Sequence, residues 1–229
     1  MKSMRVEMIL LVVVLLVGVA ANVAPAAYAD KGASPGFVPY PVIYPRSVGA
    51  YDGWVREYTE TSNIGYIADS TATTIILGDD IGNRQYRSIL HFNVSIPSTA
   101  VIVNAVIRIK KNSIAGTNPF AGSLGRLVVD LKRPYFGTTP GLVPSDFQVS
   151  ASYLTAGVFS PTPLAGGWYK AVLNNAAKAW INRVGSTQFR LRFSIDDNNN
   201  AIADNMRFLS GNYATASYRP MLEIKYYVP

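Results

Sequence analysis

Five stretches of this chain alternate apolar and polar side chains with a period of two, and that period commits most of the sequence to pleated sheet. Ser88, Leu90 and Phe92 alternate with Ile89, His91 and Asn93, and Ala105, Ile107 and Ile109 alternate with Val106, Arg108 and Lys110. The same holds for Leu127, Val129 and Leu131 against Arg126, Val128 and Asp130, for Phe189, Leu191, Phe193 and Ile195 against Arg190, Arg192 and Ser194, and for Leu222, Ile224 and Tyr226 against Glu223, Lys225 and Tyr227. Shorter β-rich runs, Trp54 to Tyr58 and Thr73 to Leu77, lead into Gly-, Asn- and Asp-containing turns such as Gly78-Asp79-Asp80. Strands with one apolar face each must bury it against another sheet, so the expected fold is all-β, an antiparallel β-sandwich.

One segment follows a different period. Tyr169, Val172, Leu173, Ala176, Ala177, Trp180 and Ile181 recur at helical spacing between Gly166-Gly167 and Gly185. This predicts one amphipathic helix near residues 168–182, packed by its apolar stripe over an open end or face of the sandwich.

At the N-terminus, Lys2 and Arg5 precede an apolar run from Ile9 to Ala20, and Ala27-Tyr28-Ala29 is a small-x-small cleavage site before Asp30. Residues 1–29 therefore read as a secretory signal peptide, and the expected location is secreted, extracellular or cell-surface. The apolar run is shorter than the ~20 residues of a spanning helix, so no stable membrane span is expected after cleavage. Residues 30–50 carry prolines at 35, 39, 41 and 45 and read as an extended Pro-rich arm or linker ahead of a β-sandwich domain at 51–229. The formal charge of +7 becomes +6 once the signal segment is removed.

The chain has no Cys and a single His, which removes Cys nucleophiles, Cys-based metal clusters and multi-imidazole sites. His91 lacks an oriented carboxylate and nucleophile in the sequence, and Asp79-Asp80 and Asp196-Asp197 are neighbours whose side chains point to opposite faces of an extended chain. No phosphate loop, nucleophile elbow or metalloprotease motif is present, and the chain is read as a non-enzyme. Nucleic acid is not an expected partner.

The order of Tyr51-Asp52-Gly53-Trp54-Val55, Asn63-Ile64-Gly65, Gly78 to Phe92, Val103 to Ile109 and the final Tyr218-Arg219-Pro220-Met221-Leu222-Glu223-Ile224 resembles the DNRLRE family of secreted β-sandwich domains. The resemblance spans about residues 51–229, and the namesake motif is only partly kept in Gly82 to Ser88. It implies a jelly-roll-like, non-catalytic extracellular module of a family grouped with carbohydrate-binding modules, some of which recognise acidic polysaccharides.

Two kinds of side chain are binding candidates. Outward Arg108, Lys110, Arg126, Lys132, Arg190, Arg192 and Lys225 form basic rows, read either as a solvated face or as a surface for an acidic polysaccharide or anionic envelope. Trp54, Tyr58, Tyr66 and Trp168 are aromatics that stack on sugar faces or serve as packing and rim residues. The ligand-binding set taken forward is Trp54, Tyr58, Arg190 and Arg192. The loop Asp196 to Asn205 is rich in oxygen ligands, and Asp196, Asn198, Asn200 and Asp204 stand at offsets that suit calcium or a set of Asx turns. Two functions follow: a secreted module binding (acidic) polysaccharide, and a structural subunit of a cell-surface layer or extracellular fibre that contacts neighbouring copies through sheet edges and the N-terminal arm.

Overall fold

The computed structural model describes residues 40–121 and 123–229; the signal-peptide reading and the first part of the arm lie outside the described residues. The described chain forms β1 (Val42–Ile43), β2 (Gly53–Glu57), β3 (Gly65–Asp69), β4 (Thr74–Asp79), β5 (Gln85–Ser95), β6 (Val101–Gly116), β7 (Leu127–Lys132), β8 (Tyr153–Phe159), β9 (Trp168–Leu173), α1 (Asn175–Lys178), β10 (Val184–Phe193), β11 (Asp204–Leu209) and β12 (Met221–Tyr227). Neighbouring strands are antiparallel, and the sheet closes on itself in the order β6, β11, β4, β5, β10, β7, β8, β9 and back to β6. Outside this eight-stranded ring, β12 and then β1 extend from β6, and β2 and β3 extend from β5.

The all-β, antiparallel expectation therefore holds, but the strands form one closed sheet where two separate sheets were expected. The cause is β6. Its 16 residues are long enough to pair β12 along Val101 to Arg108, β9 along Val106 to Lys110, and β11 from Lys111 to Gly116. A strand shared in this way joins the walls and removes free edges from the ring. The opposite seam is thin: β4 and β5 share only the Gly78–Tyr86 and Asp79–Gln85 pairs.

The core is built from the inward residues of the predicted alternations. Phe92 and Phe189 meet edge to face at 5.8 Å, and Ile107, Ile109, Leu191, Phe193, Leu222 and Ile224 are all buried. Each fully buried Leu, Ile or Phe contributes about 1.5–3 kcal/mol of transfer free energy, which is how a chain without crosslinks holds this fold.

The predicted helix is not formed. Residues 168–173 are strand β9, and only Asn175–Lys178 are α-helical, capped by Asn174 Oδ1 accepting from Ala177 N at 2.8 Å. Gly166 and Gly167 take positive φ values of 71° and 77°, a turn that residues with a Cβ make at a cost, and deliver Trp168 alongside β6. Ladder bonds from β6 on one side and β8 on the other then override the local helical spacing.

The N-terminal segment is docked. Leu222 N donates to Pro45 O at 3.0 Å, Tyr226 N to Pro41 O at 3.1 Å, and Ser47 N to Pro220 O at 3.0 Å, so residues 41–47 run along β12 as an added edge. The chain is then fixed by Asp52, whose fully buried carboxylate accepts from His91 N at 2.8 Å and Gly211 N at 3.0 Å.

Candidate functional site

As a strand, the segment from Trp168 to Leu173 has two faces. Tyr169, Ala171 and Leu173 are buried, while Trp168, Lys170 and Val172 face outward. The same outer face receives Arg108 and Lys110 from β6, whose Ala105, Ile107 and Ile109 point into the core, and Glu223 and Lys225 from β12. Arg46, carried by the docked arm, completes a cleft of about 330 Å³ with Arg108, Leu164, Ala165, Trp168 and Met221.

The charge on this face is lopsided. Arg46, Arg108, Lys110, Lys170 and Lys225 surround it, and among the described residues of these strands and the arm its one carboxylate is Glu223. Glu223 Oε2 accepts from Arg108 Nη2 at 2.9 Å and Nε at 3.2 Å. Lys170 lies directly across the ladder from Arg108, an arrangement of like charges that Glu223 offsets from the far side of Arg108. Lys110 Nζ sits 5.6 Å from the Trp168 ring centre and 4.7 Å from that of Tyr218, and it donates to Gly166 O. Partial burial lowers the proton affinity of Arg46, whose Nη1 donates to Arg219 O at 3.0 Å. An aromatic floor ringed by cations, with an apolar wall of Leu164 and Met221, has the chemistry to stack a sugar ring and pair its acidic substituent.

The four ligand-binding residues expected from sequence are not assembled into one cleft. Trp54 is half-buried, edge to face with Tyr86 at 5.3 Å. Tyr58 is exposed beside Tyr66, 4.8 Å apart, in a separate cleft with Ile81 and Arg84. Arg190 does lie on the outer face of β10, but that face is covered by residues 134–149. Its Nη1 donates to the carbonyls of Asp146, Phe147 and Val149, its Nη2 to Asp130 Oδ2 at 3.1 Å, and its guanidinium lies 4.7 Å from the Phe136 ring centre. Arg192 Nε shares the same Asp130 oxygen at 3.0 Å. Arg190 holds the covering segment in place, and Arg192 holds the Asp130 carboxylate that Arg190 shares. Burial pushes the Asp130 carboxyl up, but the hydrogen bond and charge of Arg192 and the charge of Arg190 bring it below its ordinary value.

The Asp/Asn loop is closed on itself. Asn198 Nδ2 and Asn200 Nδ2 donate to Asp204 Oδ2 at 2.6 and 3.1 Å, and Thr117 N donates to Asp204 Oδ1 at 3.0 Å. The oxygens of Asp197, Asn198 and Asn200 each accept from the backbone two residues on, at Asn199, Asn200 and Ile202, which are Asx turns. A cation held by Asp196, Asn198, Asn200 and Asp204 needs the two amides, which now present Nδ2 to Asp204, to turn their oxygens inward. The fold does bring Asp79 beside this loop: its Oδ1 accepts from Asp204 N at 3.0 Å. Burial, together with the negative charges of Asp204 and Asp197, pushes the Asp79 carboxyl up to about 6. His91 is buried between Asn93 and Gln188, 4.9 Å from the Tyr51 ring, in a structural setting.

Sequence reasoning missed Lys170 and Arg46 and placed Trp168 at the start of a helix. The available signal was the second period inside WYKAVL: read in twos after Gly166-Gly167, it sets Trp168, Lys170 and Val172 on one side. No family model matches the chain, and no curated protein matches it.

Proposed function

We propose that this protein is a non-catalytic extracellular module that binds acidic polysaccharide, with the Trp168 face of β6, β9 and β12 as its binding surface. The observation that carries this reading is the placement of Lys170 opposite Arg108, with Lys110 and Arg46 around the same tryptophan and Glu223 as the single carboxylate. Glu223 neutralises Arg108 from β12, and an anionic chain supplies the partner that Lys170 lacks and is attracted by the field of the whole face. The reading retains the DNRLRE-type resemblance, and the jelly-roll-like sandwich it implies, as the proposed ancestry of the closed ring. The second reading, a subunit of a surface layer or fibre, is supported by one observation: residues 41–47 are already an added edge on β12.

Affinity electrophoresis and calorimetry against polygalacturonate and a neutral β-glucan separate these readings. Binding to polygalacturonate that weakens steeply as salt shortens the screening length from about 10 Å at 0.1 M to about 3 Å at 1 M supports the module. Equal affinity for the neutral glycan, or no binding to either, contradicts it. Ordered polymers at moderate protein concentration favour the second reading.

A further inference from the structure

Arg46 ties the basic cleft to the N-terminal arm. The residue is the arm's contribution to the wall of the cleft, and it is placed there by the arm's backbone, through its bridge to Met221 and the flanking bonds Leu222 N to Pro45 O and Ser47 N to Pro220 O. Its guanidinium is steadied by Arg219 O, while Arg219 itself donates Nε to Tyr213 O at 2.7 Å.

The arm is lightly held. Pro41 and Pro45 supply carbonyls and no donors, and Tyr40, Val42 and Tyr44 are exposed; Ile43 is the arm side chain that packs against the core. An edge segment held by backbone bonds with little apolar burial belongs to the elements that open locally before the core does. Opening has a defined limit, because Val48 N donates to His91 O at 2.9 Å and the buried Asp52 carboxylate follows. The segment that can lift is therefore the one that carries Arg46.

We infer that arm docking and anion binding are thermodynamically linked, with Arg46 as the coupling residue. When the arm is docked the cleft has its wall and the ligand is held by cations from β6, β9 and the arm. When the arm lifts, the cleft loses Arg46 and exposes the β12 edge. An anion that touches Arg46 thus favours the docked arm, and by reciprocity a docked arm raises affinity for the anion by the same factor. This rests on the polysaccharide reading, since the cleft must first accept an anion.

Amide exchange read residue by residue by NMR tests the coupling, with polygalacturonate oligomer as probe. The amides to follow are Leu222 and Tyr226, whose hydrogens bond the arm's carbonyls. In the wild type, saturating oligomer is expected to slow their exchange about fivefold or more, within the usual range of coupling between sites. In Arg46→Gln the slowing is expected to vanish and the affinity to fall about fivefold or more, with the melting temperature near wild type. If the wild type binds the oligomer but exchange at Leu222 and Tyr226 does not change, or if Arg46→Gln binds as tightly as wild type, the coupling is wrong and the binding reading survives. If the wild type does not bind, both fall.

Discussion

Lys170 faces Arg108 directly across the β6–β9 ladder, and the carboxylate that partners Arg108, Glu223, comes from the opposite neighbour, β12. Lys170 is thus, with Arg46, Lys110 and Lys225, one of the cations of the face without a carboxylate partner among the described residues. Lys170→Glu is expected to raise stability by about 0.2–1 kcal/mol, by turning a like-charge pair into an opposite one, while weakening binding of acidic glycan about tenfold or more. Denaturant titration and calorimetry on the same variant check both halves. A destabilised variant that still binds would show that Lys170 has a structural role only.

Arg190→Met removes a buried guanidinium shared between Asp130 and three carbonyls of the covering segment. The expected cost is about 3 kcal/mol or more, because breaking one partner of a buried pair strands the other groups. Binding of acidic glycan by the folded variant is expected to be unchanged, as measured by calorimetry below its melting temperature.

Phe189→Ala opens a cavity where Phe92, Leu191 and their neighbours are fully buried, and is expected to cost about 3–5 kcal/mol in chemical denaturation. A cost under about 1 kcal/mol would mean that β10 is not the centre of the core.

The pH dependence has a definite sign. Burial pushes Asp52 from 3.8 up to about 7, against the hydrogen bonds it accepts from His91 N and Gly211 N. Asp79 is raised to about 6. For both, the folded state binds its proton more tightly than the unfolded chain does, so stability falls as pH rises through the interval between the ordinary value and the raised one. Asp130 is lowered, so its contribution is present above the ordinary carboxylate range and is lost as pH falls below it. Melting temperature is expected to peak in acidic buffer and to decline toward pH 7. Asp52→Asn is expected to flatten the decline up to about pH 7, and an unaltered slope in that variant would assign the effect elsewhere.

The closed hydrogen bonding of the 196–204 loop leads to an expected null response to calcium. The melting temperature is expected to be the same in chelator and in millimolar calcium, while Asp204→Ala costs about 1–3 kcal/mol by stranding the Asn198, Asn200 and Thr117 donors. A rise in melting temperature with calcium that Asp204→Ala removes would establish an ion there instead.

Alternation made the inward residues of β5, β10 and β12 readable, because a half-buried strand writes its face directly into the sequence. It also put Arg108, Lys110 and Lys225 on the outer side. What it could not show was what covers that side: Arg190 is buried by a segment about forty residues away, joined to it by contacts that no local pattern records. The helix error has a similar origin. Tyr169 and Leu173 satisfy both a period of two and an i, i+4 spacing, and the discriminating residues are Ala171, which is buried, and Val172, which is exposed. Only pairing with its neighbouring strands decides between the two periods, and once it does, the aromatic and lysine at the centre of the proposed binding surface appear together.

The most direct test is to titrate one acidic oligosaccharide, hexagalacturonate, into wild type, Trp168→Ala and Lys170→Glu side by side by calorimetry, with melting temperatures recorded for each. Binding by the wild type, loss of about tenfold or more in both variants, and retained folding are the expected results, since each variant removes one half of the stacking-plus-charge recognition. Wild-type affinity in both variants, or the absence of binding by the wild type, would contradict the assignment of the Trp168 face as a site for acidic polysaccharide.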